Sequence, residues 1–134
     1  MKLIVCLDDN LGMMFNHRRQ SRDRELIADL VRYVENTPLW ISPYSAPLFG
    51  EGSPCLQVVD DPVASASEND YCFVENSSLP KTLDGVNELI IYHWNRLYPS
   101  DVRFECDTSA FTLAKTHEFA GSSHDKITKE IWKK

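Results

Sequence analysis

No apolar run in this 134-residue chain approaches the ~20 residues that a membrane-spanning helix needs. The N-terminal apolar stretch is too short for a secretory signal, and no small-residue cleavage site follows it. The expected location is therefore cytoplasmic, with no membrane partner. Close cysteine pairs are also missing. Cys6, Cys55, Cys72 and Cys106 are scattered singly, and neither CxxC nor HxxxH spacing occurs, so the usual ligand pair of a zinc site is absent and no metal is expected. Free cysteine packs as a small hydrophobe, and Cys6 and Cys72 lie in apolar runs where buried, reduced thiols are expected. Positive charge is in deficit. Fourteen Lys and Arg against 20 Asp and Glu leave a net charge of −6, which argues against broad nucleic-acid binding. Repeats, low-complexity segments and interdomain linkers are absent as well. A single domain over residues 1–134 follows, long enough to bury roughly two thirds of its unfolded surface.

What is present is organised around Lys2–Phe15, KLIVCLDDNLGMMF. Leu3 to Leu7 are five consecutive apolar residues, stopped by Asp8-Asp9-Asn10. So short a run reads as a strand buried on both faces, inside a mixed or parallel sheet with helices covering it. Ligands of open α/β sheets bind beyond the carboxyl ends of the strands, so Asp8 to Phe15 is the first loop in which to look for a site. Gly12 breaks that loop, and Met13, Met14 and Phe15 are expected to fold back onto the body.

Ser21 or Asp23 can cap a helix, because a short side-chain oxygen accepts from the free N–H groups of the first turn. Leu26, Ile27, Leu30, Val31 and Val34 recur at helical spacing, and Asn36 before Thr37-Pro38 is a stop signal. Leu39–Ile41, Leu56–Val59, Tyr71–Val74 and Leu89–Trp94 read as further strands. Gly50, Gly52 and Pro54 mark a loop, Pro62 suits the first turn of a short helix, and Glu75-Asn76-Ser77-Ser78 ends a strand. Val102–Cys106 is short and extended. Phe111–Phe119 and Lys126–Trp132, joined by Ala120–Asp125, read as an antiparallel hairpin closing one sheet edge.

Arg18, Arg19, Arg22 and Arg24 fall within seven residues, just before the helix start. Guanidinium forks beside free N–H groups suit phosphate or carboxylate. The plain alternative is a solvated arginine face, or arginines paired with Asp8, Asp9 and Glu25. Ser122-Ser123-His124-Asp125 resembles a nucleophile set only superficially, since neighbours in sequence cannot converge as a Ser-His-Asp triad does; a hairpin loop is the simpler reading. His93 reads as a half-buried histidine that could face a cleft, His117 as a surface residue, and Tyr44 as packing at a strand end. Trp40, Trp94 and Trp132 read as core or edge packing.

Taken together, LIVCLDDNLGM, ELIIYHWNRLYPSDVRFE and the pair FTLAKTHEF and KITKEIWKK resemble the opening strand and loop, the late strand with its acidic turn, and the terminal hairpin of dihydrofolate reductase. The resemblance implies an α/β, dihydrofolate reductase-like three-layer fold with a central mixed β-sheet and a C-terminal antiparallel hairpin. It also marks departures. A reductase carries Gly-Gly after the strand matching YCFV, where the cofactor pyrophosphate is approached, and here Glu75-Asn76 stands instead. A reductase carries Gly-Arg-x-Thr after the strand matching LWI, and here Ser42-Pro43-Tyr44-Ser45 offers no cation. No cofactor is expected, and NADPH binding in the reductase manner is expected to be lost. The pterin-holding carboxylate of a reductase matches Asp23 by loop length, while an Ala-Asp-Leu match favours Asp29; Asp23 can equally be a helix cap. Short chains that open like LIVCLDD and contain RRQSRD also resemble sequences labelled ribonuclease Z. True ribonuclease Z enzymes carry a His-x-His-x-Asp-His metal motif, and the histidines here are isolated.

The expected site lies between the Asp8–Phe15 loop, the arginine cluster and the strand end at Glu75-Asn76. Its ligand-binding residues are Asp8, Arg18, Arg19, Ser21, Arg22, Asp23, Tyr44, Glu75 and Asn76, and its ligand is a small anionic or phosphorylated molecule, bound without folate reduction. The alternatives are an active enzyme, either an NADPH-dependent reductase with altered cofactor contacts or a ribonuclease- or phosphodiesterase-type hydrolase, and a non-catalytic module working through protein contacts or a homodimer at its edge strand.

Overall fold

The computed structural model describes residues 1–50, 55–76, 79 and 81–134. The expected loop residues Gly52 and Pro54, and Ser77-Ser78 at the strand end, lie outside the described residues. Among the described residues, ten strands and two helices follow in chain order: β1 (Lys2–Leu7), β2 (Gly12–Phe15), β3 (Arg18–Arg19), α1 (Arg24–Val34), β4 (Leu39–Ile41), β5 (Leu56–Val58), α2 (Pro62–Ser65), β6 (Tyr71–Phe73), β7 (Glu88–His93), β8 (Val102–Arg103), β9 (Thr112–Phe119) and β10 (Ile127–Lys133). A 3₁₀ turn, Ala46–Leu48, sits between β4 and β5.

Seven strands form the central sheet in the order β5-β4-β6-β1-β7-β10-β9. β1 pairs in parallel with β6 on one side and β7 on the other, so it is interior, as its unbroken apolar run requires. β10 runs antiparallel to both β7 and β9, which makes the sheet mixed and closes it with the C-terminal hairpin. Successive side chains of a strand point to opposite faces. Ile4 accordingly joins Leu26, Leu30, Val34, Ile41, Phe73 and Ile90 on the face that α1 covers. Leu3, Val5 and Leu7 join Met13, Met14, Cys72, Leu89 and Phe104 on the other.

That second face is covered differently from the expectation of helices. α2 is one turn, capped by Asp61 with Pro62 at its start. Much of the cover is a small sheet in the order β3-β2-β8. Met13 and Met14 fold back onto the body as expected, but as a strand, and Phe15 stays exposed. α1 ends at Val34, two residues before Asn36: Glu35 takes a left-handed φ of 50° and its N–H donates to the Val31 carbonyl.

Candidate functional site

The chain from β3 into α1 sends Arg19 to one strand end, and Ser21 and Asp23 to the loop between β9 and β10. Arg19 grips Glu75 with both forks, Nε to Oε2 at 2.9 Å and Nη2 to Oε1 at 3.2 Å, a bidentate geometry. Nη2 also donates to the Tyr44 carbonyl, the Arg19 N–H donates to the Tyr44 hydroxyl at 2.8 Å, and the guanidinium lies 4.5 Å from the Tyr44 ring centre. Burial opposes the arginine's charge, and the Glu75 carboxylate outweighs it, raising the pKa above the ordinary arginine value. Ser45 donates to Glu75 at 2.8 Å, and Ser42 donates to the Asn76 side-chain oxygen at 3.3 Å. Tyr44, Glu75 and Asn76 thus belong to one internal network with Arg19. Glu75 is not a free negative charge, and Arg19 pairs with it instead of with Asp8, Asp9 or Glu25.

Asp8, 1% exposed, shapes the loop after β1. One carboxylate oxygen accepts from the Asn10 and Gly12 N–H groups at 2.9 and 2.7 Å, and the other from Gln20 Nε2 and the Tyr98 N–H at 3.1 and 3.0 Å. Burial alone would push this carboxyl up, but these donors hold it below its usual value. Gly12 is required here by space: a Cβ would stand 2.5 Å from Gln20 Nε2 and 2.6 Å from Ser100 Cβ. The Asp8 loop, the arginine segment and Glu75 therefore meet at one rim, where Cys6, Met13, Arg19, Gln20, Ser21, Val74, Glu75 and Trp94 line a narrow crevice beyond β1, β6 and β7.

Asp23, 3% exposed, caps α1 by accepting from the Glu25 and Leu26 N–H groups at 2.9 and 3.3 Å. The loop between β9 and β10 wraps the same carboxylate. The Ser122 and Ser123 N–H groups donate to it at 2.8 Å each, and His124 Nδ1 lies 3.0 Å from its Oδ2. Burial by itself raises the Asp23 carboxyl, and these bonds, led by Ser122 and His124, pull it far below the carboxylate range. On its other side, His124 Nε2 lies 3.1 Å from Ser21 Oγ and 2.9 Å from the Tyr98 hydroxyl, and the ring stacks on Trp94 at 4.7 Å. His124 is a site residue that sequence reasoning missed. The signal was there in SSHD, but Asp23 and Ser21, which face its two ring nitrogens, lie more than a hundred positions away.

Arg22 and Arg24 flank Asp23, and the three, with Ile27 and Leu48, line a second, open crevice at the start of α1. Both arginines are exposed, and neither guanidinium has an ion-pair partner among the described residues. Arg18 is exposed on β3 and lines neither crevice. Asp29, the other match for a pterin-holding carboxylate, is engaged by the Tyr92 hydroxyl at 2.6 Å and by Lys129 Nζ at 2.9 Å. His93 pairs with Glu130 at 2.6 Å across β7 and β10, and His117 is exposed and stacked on Phe119. Among the described residues no group of three His, Cys, Asp or Glu is arranged to hold a metal ion, and no helix is long and apolar enough to cross a membrane.

A scan of protein families finds no match to this chain, and no curated protein matches it by sequence. Solved structures do. The chain is similar to dihydrofolate reductase from Enterococcus faecalis complexed with NADP(H) and RAB-propyl, with a TM-score of 0.69 over 98% of this chain and 94% of that one, at 10% sequence identity. The fold is dihydrofolate reductase-like, as the sequence motifs imply. At that identity the likeness extends to the fold alone.

Proposed function

We propose that this domain binds a small anionic ligand and does not reduce folate. The observation that carries the reading is the pair Arg22 and Arg24: two guanidinium groups without an ion-pair partner among the described residues, flanking a crevice at the N-terminus of an 11-residue helix. The Asp23 carboxylate lines the same crevice and already takes the first-turn N–H groups of the helix, so the two guanidiniums carry the positive charge, between apolar walls in Ile27 and Leu48. Arg19 supports the site indirectly, by holding the strand end through Glu75.

Two features argue against pterin reduction. Both candidate carboxylates are already hydrogen-bonded within the protein, Asp23 to the loop before β10 and Asp29 to Tyr92 and Lys129. The place where a reductase would carry glycines holds the Arg19–Glu75–Ser45 network, whose side chains would crowd a dinucleotide pyrophosphate there.

Thermal melting with millimolar inorganic phosphate, sugar phosphates, nucleotides, dihydrofolate and NADPH tests this. A ligand at 100 times its dissociation constant stabilises by about 2.7 kcal/mol. A phosphorylated compound is expected to raise the melting temperature of the native chain and to leave that of the Arg22→Ala/Arg24→Ala variant unmoved. NADPH and dihydrofolate together are expected to give no NADPH oxidation. An anion-induced shift that survives in the double variant, or NADPH turnover, would refute the reading.

A further inference from the structure

Ser21, His124 and Asp23 are joined in series. His124 Nδ1 is 3.0 Å from the Asp23 carboxylate, and its Nε2 is 3.1 Å from Ser21 Oγ. The carboxylate and the imidazole are almost fully buried, at 0% and 1% side-chain exposure, whereas Ser21 is half-buried and lines the crevice beyond β1, β6 and β7. An oriented carboxylate, a shielded imidazole and a half-buried hydroxyl at a crevice, in this order, are the parts of a nucleophile relay, recognised by geometry and not by sequence position.

We propose that Ser21 is a catalytic nucleophile, with His124 as its general base and Asp23 as the group that orients the imidazole, for transfer of an acyl group from an ester or thioester to water. With Asp23 ionised, the neutral imidazole donates Nδ1–H to it and turns the Nε2 lone pair towards the hydroxyls. That lone pair accepts from one hydroxyl at a time. When Ser21 donates to it, the Tyr98 hydroxyl, 2.9 Å from the same nitrogen, is released to donate to the oxygen of a bound carbonyl. Ser21 Oγ bonds to the carbonyl carbon as its proton moves to Nε2. The carbon–oxygen or carbon–sulfur bond of the substrate then breaks, and Nε2 returns the proton to the leaving alcohol or thiol. Water repeats the sequence: its oxygen bonds to the acyl carbon, Nε2 takes its proton, the Ser21 bond breaks and Ser21 recovers its hydrogen. No oxidant, reductant or metal enters the balance.

The hairpin loop accounts for the precision of the arrangement. Ser122 and Ser123 fix the carboxylate by their N–H groups, and Trp94 fixes the imidazole plane by stacking. Arg22 and Arg24 adjoin Ser21 in sequence but line the other crevice, and they favour an anionic ester or thioester; this assignment of substrate class rests on the anion-binding reading above, whereas the reactivity of Ser21 does not.

The test is a small neutral fluorophosphonate applied to the full chain, followed by intact-mass and peptide mass spectrometry. Ser21 Oγ displaces fluoride from phosphorus and the proton leaves through His124, so one adduct per chain is expected, on Ser21. The adduct should be absent from Ser21→Ala and from urea-unfolded protein, and retained in Ser65→Ala, an exposed serine of α2 that lines neither crevice. In His124→Gln, checked for folding by circular dichroism, labelling should slow about 100-fold or more, the low end of what general-base catalysis contributes. No adduct, an adduct on Ser122, Ser123 or Tyr98, or equal labelling of the unfolded chain would overturn the proposal. Because the probe is uncharged, labelling without any phosphate-induced thermal shift would remove only the anionic substrate class, and a shift without labelling would remove only the nucleophile.

Discussion

Asp23→Ala is expected to lower the unfolding free energy by about 3–5 kcal/mol, the range for removing one member of a buried, hydrogen-bonded pair. The carboxylate does three jobs at once. It caps α1, it receives the Ser122 and Ser123 N–H groups, and it partners His124. Alanine would leave four buried or half-buried backbone donors and one imidazole nitrogen without their acceptor, and it would detach the β9–β10 loop from α1. The effect should depend on pH in a definite sense. The folded-state pKa lies below the unfolded value of about 3.9, so the carboxylate's contribution is complete above that pH and is lost as the pH falls below about 4. Urea unfolding of the native and Asp23→Ala chains should therefore show a gap at neutral pH that closes towards acid. A pH-independent gap, or one under about 1 kcal/mol, would mean that the carboxylate is not the organising charge it appears in the geometry.

How much of this was legible in the sequence depends on how far apart the interacting residues lie. α1 was legible because its signals are local: a capping Asp23 and apolar residues at Leu26, Leu30 and Val34, all buried on one side. β1 was legible because five apolar residues in a row fit an interior parallel strand, and the hairpin because two long strands flank a glycine- and serine-containing loop. Local pattern did not reveal that β2, β3 and β8 form a second sheet, since two-residue strands carry no periodicity. Nor could it pair Arg19 with Glu75 across 56 positions, or His124 with Asp23 across 101. The arginine cluster was read as one unit. The fold splits it, turning Arg19 inward onto a carboxylate and leaving Arg18, Arg22 and Arg24 outside. Composition gave the number of guanidinium groups, and only the register of β2 against β3, Met14 opposite Arg19 and Phe15 opposite Arg18, decides which one turns in.

Gly121→Ala is the more selective probe of the same region, because it alters no polar group. A Cβ at this position would stand 2.5 Å from Asp23 Oδ2, 2.8 Å from the His124 carbonyl oxygen and 3.0 Å from Ile127 Cδ1. The first two neighbours cannot give way cheaply: one is a carboxylate held by several donors, and the other is backbone that accepts from the Gly121 N–H at 3.0 Å. The loop must lift, and the Ser122 and Ser123 bonds to Asp23 stretch with it. A cost of about 3 kcal/mol is expected, the upper end for overpacking. Gly85→Ala is the control, since nothing lies within 4 Å of a Cβ there; its effect should be within about 0.5 kcal/mol or slightly stabilising, because alanine restricts the unfolded chain. Chemical denaturation of the two variants side by side measures the difference. If the loop is pressed onto Asp23 as the structure has it, Gly121→Ala should also slow any fluorophosphonate labelling of Ser21, since displacing the loop takes His124 away from the hydroxyl it faces. Equal stability of the two alanine variants would show that the loop has room to spare, and that the alignment of Asp23, His124 and Ser21 is not enforced by the hairpin.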